Sequence, residues 1–334
     1  MKNFTFIDLF SGLGGFRIAL EKVGGTCVFS SEINSHASLM YETNFGEKPN
    51  GDITKIKTID IPNFDILCAG FPCQAFSIAG KQLGFEDTRG TLFFEICRIV
   101  QEKKPKVIFL ENVKNLTVHD KGNTFKKIIS SLENLGYYVS YKILNAKDFG
   151  IPQNRERIII VASLNKKLNF NNLKYSDKKI NIEHILEEEF DNKNYLEKST
   201  YTILDEKHIK ENSKSGLIFA GFINKTMRKN VDISKSQLSR NHRQPNRIYR
   251  YDGTHPTLSS QESSGRYYIL LKNGNVRKLS LLECYKLMGF PVDFKLIGSK
   301  NNLYQRIGNS VCIRMIESVA KLIKSEILFD YDKN

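Results

Sequence analysis

The segment FTFIDLFSGLGGF, Phe4 to Phe16, decides the fold. Its apolar run ends in a glycine-rich turn, and a helical pattern begins at Phe16, so a buried strand passes directly into a helix. The same alternation continues along the chain. Phe4 to Phe10, Cys27 to Glu32, Phe64 to Ala69 and Val107 to Glu111 read as buried strands. Phe16 to Val23, Ser35 to Asn44, Thr91 to Gln101 and Thr124 to Leu135 carry helical spacing between them, with Gly136 placed as a stop. Tyr138 to Leu144 and Arg157 to Ala162 add two strands, which predicts an α/β, doubly wound, mostly parallel sheet of six or more strands. From about Lys166 the texture turns to Asn, Lys, Ser and Asp until Arg277. That stretch is too long for a linker and contains a strand pattern at Tyr267 to Leu271, so it predicts a second, smaller, loop-rich domain.

The chain has 334 residues, 40% hydrophobic and 26% charged, which excludes wholesale disorder. No apolar run approaches a membrane span and the start lacks a secretory core, so the expectation is a cytoplasmic protein without a membrane partner. Six cysteines without a C-x-x-C pair and six histidines without ligand spacing predict neither a disulfide framework nor a bound metal. Lys and Arg total 50 against 36 Asp and Glu, a net charge of +14. Between Gly221 and Ser280 there are twelve basic and three acidic residues, a density suited to a polyanion.

Glycines after a first strand let a nucleoside-bearing cofactor approach the backbone at the strand ends. Glu32 closes the second strand, placed to accept from ribose hydroxyls, and Asp52 in Gly51-Asp52-Ile53 is placed for an adenine amino group. The spacing departs from G-x-G-x-x-G, which favours an adenosyl cofactor without a pyrophosphate over a nicotinamide dinucleotide. After the strand ending at Ala69, Gly70-Phe71-Pro72-Cys73-Gln74 sets a thiol at the same sheet edge, whereas Cys68 within the strand reads as packing. Glu111 adds a carboxyl group at that edge.

DLFSGLGGF, GFPCQAFS, ENV at Glu111 to Val113, QNRERI at Gln153 to Ile158, RKLSLLECYKLMGFP at Arg277 to Pro291 and YQRIGNSV at Tyr304 to Val311 resemble, in order, the motifs of DNA (cytosine-5) methyltransferases. The compact length resembles the single-chain prokaryotic enzymes of restriction-modification systems. Only Lys166 to about Gln244 lacks a match.

The resemblance implies S-adenosyl-L-methionine as cofactor and double-stranded DNA as substrate. It implies a working monomer, with a cognate restriction endonuclease acting on the same site without direct contact. Cys73 as thiolate would add to carbon 6 of a flipped-out cytosine, because carbon 5 alone is a poor nucleophile. Glu111, kept protonated by burial, would hydrogen-bond ring nitrogen 3; Arg157 would contact the base carbonyl, and Arg155 would orient Glu111 and the loop. Phe10, Gly12, Leu13, Gly15, Glu32, Ile33, Asp52, Ile53, Pro72 and Asn309 would form the cofactor pocket. Phe76 to Gly84 resembles the mobile loop that closes over the base, hinged at Gly80 and Gly84, with Ser77, Ala79 and Lys81 as DNA contacts. Relatives can carry serine where Ala79 stands, which leaves open the residue that fills the vacated stack. Residues 1–185, completed by 300–334, would form the catalytic domain, and 186–299 the target-recognition domain and hinge. In that domain Thr257-Leu258 resembles the family's threonine-leucine signature. Arg240, Asn241, Arg243, Gln244, Asn246 and Arg247 are candidates for base edges, with most contacts expected at phosphate.

Other readings leave residues unexplained. A nicotinamide oxidoreductase gives Cys73, Glu111 and the basic region no role. An amino-methyltransferase would need an Asp/Asn/Ser-Pro-Pro-aromatic tetrad where Phe71-Pro72-Cys73-Gln74 stands. A transfer-RNA cytosine methyltransferase shares the chemical motifs, but the large variable region favours DNA. A DNA-binding protein without activity has no use for Cys73, Glu111 and Arg157 together.

Overall fold

The computed structural model describes residues 3–72, 92–188, 195–224 and 238–328. They divide into two compact units: Met1–Asn145, Glu156–Tyr175 and Ser310–Asn334 form the first, Ala146–Arg155 and Ser176–Asn309 the second.

In the first unit β1 (Phe4–Leu9), α1 (Gly15–Glu21), β2 (Gly25–Ser31) and α2 (Ser35–Phe45) follow one another. Then come β3 (Ile66–Gly70), α3 (Leu92–Lys103), β4 (Val107–Val113), α4 (Asn123–Asn134) and β5 (Tyr138–Asn145). Helix boundaries have local causes. The Asn34 side chain accepts from the Ala37 amide and starts α2, and Gly46 at φ 74° ends it. α3 buries Phe93, Ile96, Cys97 and Val100, one stripe at helical spacing, and stops at Lys104, which precedes Pro105.

The sheet order is β2-β1-β3-β4-β7-β5, where β6 (Gln153–Asn154) lies in the second unit and β7 (Glu156–Ser163) returns to the first. β2, β1, β3 and β4 pair in parallel, and β7 is antiparallel to both β4 and β5. Ten residues without an α-helix join β5 to β7, too little for a parallel crossover, so the returning strand inserts as a hairpin arm. Ile7, Leu9, Leu67, Phe93, Ile96, Ile128, Ile158 and Ile160 share one core that seats α3 and α4. Phe16 of α1 meets Phe109 of β4 edge-on at 5.1 Å. The chain leaves β1 toward β2 and returns to its other side as β3. That switch opens a crevice at the carboxyl ends of β1 and β3.

The second unit contains β8 (Tyr201–Ile203), β9 (Phe219–Ile223), β10 (Arg247–Arg250), β11 (His255–Pro256), β12 (Tyr268–Leu270) and β13 (Val276–Lys278), followed by α5 (Leu281–Lys286) and α6 (Lys300–Asn309). Its main sheet runs β13-β12-β10-β9-β8 over a core that includes Tyr201, Ile218, Phe222, Ile248 and Val276. β6 pairs with β11, and the Ala146 amide donates to the Arg155 carbonyl, which explains why 146–155 belongs here. The longer of its two segments runs from Ser176 to Asn309. Ser280 and Glu283 cap α5 reciprocally, and Glu283 receives a bidentate pair from Arg277 at 2.6 and 2.8 Å, both side chains buried. In the first unit again, α7 (Ile313–Ile323) buries Ile313, Ile316, Val319, Ala320 and Ile323.

Candidate active site

The turn after β1 is built for close approach. Phe10 takes φ 55° and bends the chain off the strand, and Gly12 and Gly14 follow at φ 55° and 77°. A β-carbon on Gly15 would lie 2.7 Å from Val311 Cγ2, so only glycine lets the C-terminal segment pack there. Leu13 is buried. Glu32 accepts from the Gly12 amide at 2.8 Å through one oxygen and from the Asn34 amide at 2.7 Å through the other, joining the turns after β1 and β2. Each oxygen keeps a lone pair. Ile33 next to it is 74% exposed, an apolar side chain in water at the edge of a crevice.

Asp52 caps the single turn Ile53–Lys55. Its Oδ1 accepts from the Thr54 amide (3.0 Å) and hydroxyl (2.8 Å), and these bonds, Thr54 Oγ1 foremost, hold the carboxyl below the ordinary range. Ile53 is buried and Pro72 exposed. Ser11 Oγ and Ser31 Oγ are buried and have no hydrogen-bond partner among the described residues. Unused hydroxyls on Ser11 and Ser31, a carboxylate with free lone pairs at Glu32, the bare aliphatic side chain of Ile33 and the Asp52 carboxylate suit the parts of an adenosyl group. Beneath the turn lies Asp8, a residue the sequence pattern hides because it interrupts an apolar strand. It is 1% exposed, and desolvation pushes its carboxyl well up despite opposition from the Arg17 amide and charge.

At the ends of β3 and β4, register sets Gly70 opposite Glu111, and Arg157 on β7 opposite Val113. Arg157 Nε lies 3.0 Å from Glu111 Oε1, an ion pair with both side chains buried. The Arg157 fork is fixed further by Nη1, which donates to the Glu156 carbonyl at 2.8 Å. Arg157 therefore holds Glu111 in place. Arg155, 1% exposed, donates to the carbonyls of Leu258 (3.2 Å) and Gly308 (3.0 Å) within the second unit. Asn112, which the sequence reading passed over, donates to the Phe71 carbonyl at 2.7 Å and anchors the backbone just before Pro72 and Cys73. Cys73, Ser77, Ala79 and Lys81 lie outside the described residues. Cys68 is buried on β3 and its thiol is pushed well up by desolvation, as suits packing rather than attack.

In the second unit, Asn309 ends α6 and is exposed. Thr257 Oγ1 donates to the Asn154 carbonyl at 2.8 Å, and the Leu258 amide donates to Gln153 Oε1. The QNR segment thus carries the threonine-leucine pair. Arg240 and Arg243 are exposed, Asn241 and Gln244 half-buried and Asn246 buried. Arg247 donates twice to the His242 carbonyl, at 2.9 and 2.8 Å.

A glycine turn after β1 and a buried carboxyl–guanidinium pair at the end of β4, on one edge of an α/β sheet, suit an enzyme of the methyltransferase class. The model of the C-5 cytosine-specific DNA methylases matches residues 4–325, and the chain belongs to that family. It is 43% identical over 334 residues to the Type II methyltransferase M.HhaI of Haemophilus parahaemolyticus, covering 98% of this chain and 97% of that protein. It is 41% identical over 340 residues to the Type II methyltransferase M.HpaII of Haemophilus parainfluenzae, covering 99% and 92%. Among solved structures its fold resembles the S. pombe Dnmt2 methyltransferase with a TM-score of 0.68 at 19% identity, over 96% of this chain and 99% of that one. The reaction is methylation of cytosine at carbon 5 in DNA.

Proposed function

We propose that the protein methylates one cytosine within a specific short double-stranded DNA sequence, with S-adenosyl-L-methionine as donor, as the modification half of a restriction-modification system. The observation that carries this is the Glu111–Arg157 pair, held at the sheet edge where Asn112 anchors the chain leading into Cys73. The Type II naming of relatives that match nearly end to end supports the cellular role. The enzyme works as a monomer in the cytoplasm, and its cognate endonuclease meets the same DNA site without touching it. No described helix is long and apolar enough to cross a membrane.

The target base must leave the stack, at a cost of a few kcal/mol, before sulfur can reach its ring face. The Cys73 thiolate then forms a bond to carbon 6, and the electron pair displaced from the carbon 5–carbon 6 bond makes carbon 5 nucleophilic. Addition makes ring nitrogen 3 more basic, and Glu111 shares a proton with it. Arg157, already fixed at Nε and Nη1, turns its outer nitrogen to the pyrimidine carbonyl and keeps Glu111 in place. When bound, the cofactor supplies a sulfonium methyl with a neutral thioether as leaving group. Loss of the carbon 5 proton re-forms the double bond and breaks the bond to Cys73 sulfur. Phe10 and Ile33 would flank the adenine, Glu32 would take the ribose hydroxyls, and Asp52 the amino group. Gly12, Leu13, Gly15, Ile53 and Pro72 would complete the part of the pocket that the first unit supplies.

DNA recognition falls to the second unit, with Arg240 and Arg243 the exposed cations of the 238–247 segment and Thr257 held on the QNR segment. Incubation with S-adenosyl-L-methionine and unmethylated genomic DNA, followed by bisulfite sequencing, tests the whole reading. The expected result is protected cytosines in one recurring sequence context; protection without a common context, or none, would contradict it.

A further inference from the structure

Arg98 stands on α3, where its sequence neighbourhood reads as an ordinary solvated cation paired with Glu95 one turn earlier. Its guanidinium instead crosses to the connection between α2 and β3. Nη1 donates to Thr58 Oγ1 at 2.6 Å, Nη2 to the Ile53 carbonyl at 3.1 Å, and Nε to Glu95 Oε2 at 2.9 Å. Glu95 fixes the fork, and the fork grips the first residue of a short turn and a point three residues beyond its end. Thr58 and Ile53 are both buried and Arg98 is half-buried, so these charge-assisted bonds are partly shielded from water.

The turn is Ile53–Lys55, which its own backbone holds weakly: the Lys55 amide bonds the Asp52 carbonyl at 3.0 Å and the Ile56 amide bonds the Ile53 carbonyl at 3.3 Å. A single turn of this kind has no cooperative stability. Its cap is Asp52, whose side chain is oriented by Thr54 within the same turn. The direction of the Asp52 carboxylate is therefore set by the turn, and the place of the turn is set from α3 through Arg98.

We propose that Arg98 is a positioning residue for the cofactor: it fixes the turn that aims Asp52 and thereby sets affinity for the adenine end without touching the cofactor or the reacting atoms. This rests on the reading that an adenosyl cofactor lies in the crevice beside Asp52. Binding sites tolerate little misplacement of a polar group, and support from a second layer of residues is what keeps such groups aimed.

The test measures KM for S-adenosyl-L-methionine, KM for DNA, kcat and Tm in five variants, with direct binding of S-adenosylhomocysteine by calorimetry. Arg98→Met keeps the aliphatic stem and removes the fork. The expected result is a KM for S-adenosyl-L-methionine raised about tenfold, the loss of one charge-assisted bond converted to affinity, with kcat within twofold and KM for DNA unchanged. Arg98→Lys should recover about half of that loss on a logarithmic scale. Thr58→Val should shift KM in the same direction by less, and the combination with Arg98→Met should exceed Arg98→Met alone only slightly, because both remove one contact. A purely structural role would lower Tm and kcat together and leave the cofactor KM and calorimetric affinity unchanged, and that result overturns the proposal. Asp52→Ala separates the two levels. If it weakens cofactor binding and Arg98→Met does not, Arg98 fails alone. If Asp52→Ala leaves cofactor binding unchanged, the crevice reading fails and the Arg98 role with it.

Discussion

At the sheet edge of the first unit, Glu32 accepts one backbone bond on each carboxylate oxygen, and Arg157 steadies Glu111 while both stand where the strands end. In the second unit, comparable charged groups close on one another. Arg277 and Glu283 form a buried bidentate pair, and Arg247 is tied by two bonds to the His242 carbonyl of its own loop. Glu32, with one backbone bond on each oxygen and a lone pair left on each, is prepared for a ligand, whereas Arg277, Glu283 and Arg247, tied within their own unit, hold the fold. The difference separates residues of one type by role more sharply than charge does.

Glu111 offers the largest effect. Glu111→Gln keeps size and polarity but cannot exchange a proton with ring nitrogen 3, so single-turnover methyl transfer should fall by about 10²–10⁴-fold while DNA binding and Tm hold. A large loss of Tm with unimpaired turnover per folded molecule would place Glu111 with the closed pairs of the second unit instead.

His255 supplies the counterpart in the second unit. Its Nδ1 is 2.7 Å from the Pro256 carbonyl, and desolvation pushes the imidazole down from 6.5 to about 4 against the weaker opposing effect of that bond. The unfolded chain takes up a proton between pH 6.5 and 4 that the folded chain refuses. Stability is therefore complete above that window and lost as pH falls through it, by up to about 3 kcal/mol. Thermal melts across pH 4 to 7 should show the slope, and His255→Gln should flatten it; an unchanged slope in the variant assigns the effect to other groups.

The smallest effects distinguish two arginines four residues apart. Arg243→Ala should reduce the salt slope of DNA binding by about one and leave stability alone. Arg247→Ala should cost about 1 kcal/mol of stability, through the loss of the His242 tie, and retain the slope. Equal changes in slope would mean that closure within the loop does not exclude DNA contact.

Much of the first unit is legible in the sequence because a strand buried on both faces is a continuous apolar run and its functional residues sit where the run stops. Phe4 to Phe10 became Phe4–Leu9, and Glu111 and the glycine turn fell at the sheet edge as read. The reversal of β7 was not legible, since a buried strand has the same composition in either direction and only its pairing with β4 and β5 sets the sense. Asn112 and Arg98 were hidden for a different reason: their partners are backbone carbonyls and a hydroxyl 40 or more residues away, which leave no local pattern. In the second unit, strands of two to five residues have too little length for periodicity. Whether an arginine there is exposed, like Arg243, or tied down, like Arg247, depends on the loop around it.

The central claim is that a sulfur at position 73 bonds transiently to the cytosine ring. DNA substituted with 5-fluorocytosine cannot lose the group at carbon 5 after methylation, so the enzyme should remain attached. Mass spectrometry of the digested complex, formed with S-adenosyl-L-methionine present, should place the nucleotide on Cys73. Methylation of ordinary DNA by the same preparation, with no adduct on that peptide, would contradict the account.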